Sequence, residues 1–153
     1  MSFTASSIMR NGLAIIAGLG VGSAVNMALI TLNTSILFPM PPDVSFEDTN
    51  AFGEYIRTLP PLAYVVVFAA HYGQASIGGY LAARIALPEA SSVCCYVVAG
   101  LTMLGSIANT MALPVPAWTW LEIPVFPVLA WYTARFAESA ISKGGSSDTS
   151  KAA

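Results

Sequence analysis

A chain of 153 residues that is 56% hydrophobic and only 9% charged lies far from an ordinary soluble domain, where about 25% of residues are charged. The mean hydropathy of +0.68 points the same way. The net charge of −2, with no basic stripe, excludes the usual nucleic-acid partner.

The charges collect at Arg10, from Asp43 to Arg57, around Arg84 and Glu89, and from Arg135 onward. Between them lie four apolar segments that reach the ~20 residues needed to cross a ~30 Å hydrocarbon core. The first runs from about Gly12 to Phe38. Arg10 followed by an apolar run resembles a signal peptide, but the run outlasts an h-region of about 7–15 residues and no small-x-small cleavage site precedes the loop. It therefore reads as an uncleaved first helix. A short organellar transit peptide in the Ser-rich, acid-free Met1 to Arg10 is the alternative. The segment stops at Pro39-Met40-Pro41-Pro42, which cannot continue a helix.

The loop from Pro39 to Leu59 carries Asp43, Glu47, Asp48 and Glu54 against Arg57 alone. Within it, Asp48-Thr49-Asn50 predicts the cap of a short interfacial helix, Ala51 to Arg57. The second segment covers about Pro60 to Ala86, with Pro60-Pro61 suited to a helix start. Pro88 separates it from the third, about Ala90 to Leu113. Cys94 and Cys95 lie there side by side and read as small buried hydrophobes rather than a disulfide. Pro114 and Pro116 introduce the fourth, about Pro116 to Phe136. The small, polar residues 142–153 predict a disordered tail.

The expected fold is all-α, a membrane-embedded four-helix bundle that forms one domain over residues 1–141. Arg10, Arg84, Arg135, Lys143 and Lys151 fall on one side and Arg57 on the other. The positive-inside rule thus places both termini in the cytoplasm, or in an equivalent organellar compartment.

Each segment carries one face of small and polar residues. Gly18, Gly22, Asn26 and Asn33 fall within about 80° on a helical wheel. His71, Gln74, Ala75, Gly78 and Ala82 share a stripe, as do Thr102, Gly105, Ser106 and Asn109. Gly18, Gly22, Gly78 and Gly105 are the expected helix-packing positions, because small residues let backbones approach closely.

Counted along the helices at 1.5 Å per residue, Asn26 lies roughly 20 Å from the cytoplasmic face and Glu122 reaches the same level from the other side. Asn109 falls somewhat farther out, with His71, Gln74 and Thr102 below. Glu122 stands out, since a carboxylate in hydrocarbon costs several kcal/mol and tends to mark function. Hydration near the interface, or hydrogen bonds from Asn26 and Asn109, is its structural alternative. Pro124 and Pro127 disturb its helix and free carbonyls that neighbours must satisfy. His71 is the only histidine. It reads as a neutral side chain bonded to a neighbouring helix, as a proton or substrate site, or as a tetrapyrrole ligand. Trp118, Trp120, Tyr55, Trp131 and Tyr132 fit interfacial aromatic belts. Trp118 and Trp120 lining a ligand pocket is the alternative. No nucleophile elbow, Walker loop, Cys-x-x-Cys or metal-spaced cluster is present, which weighs against an enzyme, and no cofactor is named by any motif.

The run Ala17-Gly18-x-Gly20-Val21-Gly22 through Val25-Asn26-Met27-Ala28, the Pro-rich acidic loop, His71-x-Gly73-Gln74, Gly78-Gly79, Ala82-Ala83-Arg84, Ala108-Asn109 and Pro116-x-Trp118 together resemble a group of small bacterial four-helix integral membrane proteins. The resemblance covers most of the chain. It implies the four-span topology and a bacterial-type inner membrane, and no activity.

The leading functional expectation is an accessory or structural subunit, packed in a larger membrane complex or a homo-oligomer, with the lipid bilayer and partner membrane proteins or further copies around it. The alternative is a small transporter or solute-binding protein whose site holds Glu122, His71, Asn26, Asn109, Gln74 and Thr102. A third is a cofactor- or pigment-binding subunit with the group at His71.

Overall fold

The computed structural model describes residues 4–151, and their side chains as far as Ser142. It is all-helical, at 84% helix, with no strand among the described residues.

Helix α1, Ala5–Leu32, starts on Thr4, whose hydroxyl accepts from the Ser7 N–H. It begins a full turn before Arg10, earlier than the apolar run alone suggests. No charge or proline interrupts it until Pro39. Its last turn widens into a π-turn over Asn33–Leu37. There the Thr34 hydroxyl donates to the Ile30 carbonyl at 3.0 Å, and the Phe38 N–H reaches back five residues to Asn33 at 2.8 Å. The loop then forms α2, Thr49–Thr58, capped by an Asp48 carboxylate that accepts from the Asn50 and Ala51 N–H groups at 3.1 and 3.0 Å.

Helix α3, Pro61–Ile85, opens on its proline pair and leads through a 3-10 turn, Pro88–Ala90, into α4, Ser91–Ala112. The fourth segment differs from the single helix expected over 116–136. It is a 3-10 helix, Ala117–Glu122, followed by α5, Val125–Lys151. Pro124 and Pro127 lack the N–H groups an α-helix would return to Trp120 and Ile123. The Ile123 and Phe126 amides take those two carbonyls instead, each at 3.2 Å. The tail expected over 142–153 is continuous with α5 as far as Lys151, and the last two residues lie outside the described residues.

Helix α3 is the centre of the molecule, packing on α1, α4 and α5. At the α1–α3 crossing the backbones touch. A Cβ on Gly18 would stand 2.5 Å from the Gly78 carbonyl oxygen, one on Gly78 would stand 2.5 Å from that of Gly18, and one on Gly22 would meet the Gln74 carbonyl at 2.6 Å. Gly105 does not join this packing. A Cβ there meets nothing within 4 Å, because its side of α4 faces outward.

At the end bearing Arg10 and Arg84, the charged end, Ala14 of α1 closes on Ala82, Cys94 and Val98. The Arg10 guanidinium donates to the Ile85 carbonyl at 2.9 Å, and the Leu87 N–H donates to Asn11 Oδ1 at 3.0 Å. Cys94 and Cys95 are buried and free. Throughout, the interior is made largely of Ala, Gly, Cys and Ser, while Ile16 is 66% and Met111 74% exposed along with many other large aliphatic side chains. A water-soluble bundle distributes them the other way round. Two stretches, Ala5–Leu37 and Pro88–Ala112, are long and apolar enough to cross a membrane.

Candidate functional site

Helices α1 and α4 meet at the charged end but line opposite walls of a cavity of about 290 Å³ at the other, the loop end. Helix α2 covers that opening. Its Tyr55 and Ile56 are buried, with Phe52 and Leu113 packed against them. The Tyr55 hydroxyl donates to the Phe38 carbonyl at 2.6 Å, and the Tyr64 hydroxyl of α3 donates to the Ile56 carbonyl at 2.8 Å. Burial raises the Tyr55 pKa above its ordinary value, so the phenol stays a donor through neutral pH. Both contacts fall on adjacent residues near the C-terminal end of α2, tying the acidic loop there to Phe38 and to α3.

Glu122 and His71 meet on the cavity wall. The 3-10 turn ahead of Pro124 rotates Glu122 inward, to 2% exposure. Its Oε1 lies 2.7 Å from His71 Nδ1, and its Oε2 accepts from the Ser106 hydroxyl of α4 at 2.8 Å. The main-chain carbonyl of Glu122, left over by the proline break, accepts from the Tyr72 hydroxyl at 3.2 Å. A carboxylate accepting at both oxygens puts a proton on His71 Nδ1 and leaves Nε2 as the free position of the ring. Among the described residues Nε2 has no protein partner, and the His71 side chain keeps 11% of its surface open.

Of the residues singled out in the sequence, Asn26 and Asn109 line the same cavity as His71 and Glu122. Gln74 does not. It lies at the α1–α3 crossing, with its Cγ and carbonyl against Gly22. Thr102 is buried but turns its hydroxyl back to the Val98 carbonyl of its own helix at 2.9 Å. Trp118 stands behind the wall, edge-on to Tyr64 and Phe68 at centroid distances of 5.6 and 5.7 Å.

Three residues take part that sequence reasoning did not select. Ser106 was legible as a member of the α4 stripe, one turn beyond Thr102. Tyr72 carried no signal. Asn33 lay on the polar face of the first segment, and in the structure it lines the cavity. Its Nδ2 donates to the Ala63 carbonyl at 3.2 Å, while its Oδ1 is buried with no partner.

The cavity wall is mostly aliphatic and aromatic, and Glu122 is its one acid, with no Lys or Arg. Among the described residues no three His, Cys, Asp or Glu side chains gather as a metal cluster. The arrangement can hold a hydrogen-bond donor and pass a proton between the imidazole and the cavity. Comparison with protein families, curated proteins and solved structures finds no match to this chain.

Proposed function

We propose that this chain is a four-pass integral membrane protein that binds a small solute at an intramembrane His71–Glu122 site, as a solute-binding protein or small transporter. The observation that carries this reading is where the pair sits. A purely structural His–Glu pair would be sealed between helices, whereas this one lines a cavity and the His71 side chain keeps 11% of its surface open. Intramembrane carboxylates that face a cavity are the ones associated with substrate and proton pathways.

The four-pass reading draws on the outward Leu, Ile, Val and Met and on helix length. Helix α3 has 25 residues, about 37 Å of rise, and turns its polar His71 inward. Arg10, Arg84 and Arg135 at one end against Asp43, Glu47, Asp48 and Glu54 at the other support cytoplasmic termini in a bacterial inner membrane. The test is mass spectrometry of every small molecule retained by the protein purified in mild detergent. The wild type is expected to retain a solute that Glu122→Gln and His71→Ala lose, compared on equal amounts of folded protein. Equal retention by all three, or none by any, contradicts the reading.

A second reading, an accessory subunit or homo-oligomer, is favoured by one observation. Gly105, Ala108 and Ala112 form an exposed small-residue stripe on α4 with no helix of this chain against it, the kind of face on which membrane helices associate. Gly105→Leu is expected to dissociate a defined oligomer in detergent. A monodisperse monomer before the change removes this reading.

A further inference from the structure

The class of solute can be read from the polar atoms the cavity leaves unanswered, an inference that rests on the solute-binding reading above. Two acceptors among the lining residues have no partner within the protein. One is His71 Nε2, set as the free ring position by the Nδ1–Glu122 contact of 2.7 Å. The other is Asn33 Oδ1, buried and unpartnered in a residue that is 2% exposed. The orientation of that amide is fixed, since the Ala63 carbonyl it faces can only accept and so takes the NH₂ side.

The unanswered positions therefore ask for donors. The one formal charge on the wall, Glu122, is negative and has no Lys or Arg beside it. A carboxylate or phosphate ligand would meet Glu122 with no cation to bridge them. A hydrocarbon would leave both acceptors bare. The complement is a positively charged donor on an apolar body, and the aromatic rings of Tyr64, Phe68 and Phe52 on the wall favour a cation further.

Size sets the scale of that body. About 290 Å³ is roughly twice the ~150 Å³ apolar cavity that holds one benzene, room for a ring with a short arm. Asn33 touches α3 at Ala63, and His71 follows two turns along the same helix, a rise of roughly 12 Å. The two acceptors thus mark opposite ends of the cavity.

We propose that the cavity binds a protonated organic amine with an apolar, aromatic-sized body, its ammonium donating to His71 Nε2 while the Glu122 carboxylate holds the other ring nitrogen, and any second donor at its far end reaching Asn33 Oδ1.

The experiment is titration calorimetry of the full chain in detergent with three size-matched probes: 2-phenylethylammonium, 2-phenylethanol and 3-phenylpropionate. The ammonium is expected to bind at least about tenfold more tightly than either other probe. Glu122→Gln should lose this preference for the ammonium. Asn33→Leu should abolish any gain from the second donor of 4-(2-aminoethyl)phenol. If Glu122→Gln fails to fold, the wild-type probe series decides alone. Alcohol or carboxylate binding as tightly as the amine overturns the amine class and leaves the solute site standing. No binding of any probe to folded wild type also overturns the amine class, and the retained-solute experiment then judges the site by itself.

Discussion

His71 Nδ1 and Glu122 Oε1 stand 2.7 Å apart although 51 residues separate them in sequence. Removing either side chain alone leaves its partner buried without its main contact, which typically costs about 3–5 kcal/mol. His71→Leu and Glu122→Met are therefore each expected to destabilise the protein more than the double substitution does. Thermal unfolding of the four variants in one detergent gives the coupling. Additive losses would mean that the two side chains do not act as a pair.

The α1–α3 crossing predicts a contrast between glycines. A Cβ at Gly18 or Gly78 lands on the backbone of the facing helix, so Gly18→Ala and Gly78→Ala are expected to force the helices apart at a cost of roughly 1–3 kcal/mol. Gly12 and Gly20 face open space in the same helix. Alanine there is expected to be neutral or to stabilise by up to about 1 kcal/mol, through helix propensity. Melting temperatures of the four single variants check the ordering.

The lid should loosen by a single hydroxyl. Tyr55→Phe removes the donor to the Phe38 carbonyl and is expected to cost about 1 kcal/mol, visible as faster amide exchange across residues 39–59. Because burial raises the Tyr55 pKa, this contribution is fully present below the free phenol's pKa of about 10 and is lost as pH rises through the higher folded value. In Tyr55→Phe, exchange in the loop should no longer carry that alkaline step.

Much of this was legible before any coordinates. Proline positions marked the breaks between helices, and the lone His and the one acid inside the fourth apolar segment announced themselves by the cost of burying them. Residue rise alone put Asn26 and Asn109 near Glu122, and the structure sets all three around one cavity with His71. What sequence could not give is rotation about each helix axis. Gln74 shares a stripe with His71, yet its stripe is where α1 crosses, so packing consumed it. Gly105 shares a stripe with Ser106, and one residue's turn of α4 sends Gly105 outward and Ser106 to Glu122. The 3-10 turn that aims Glu122 depends on how two missing amides are compensated, which proline spacing signals only as a disturbance.

The single histidine makes one measurement unusually direct, the ¹⁵N spectrum of the ring-labelled protein, in which every imidazole signal belongs to His71. The account predicts a protonated, hydrogen-bonded Nδ1 that loses this signature in Glu122→Gln, and an Nε2 resonance that moves when 2-phenylethylammonium is added. A ring whose two nitrogens are unchanged by Glu122→Gln and by the amine would contradict it.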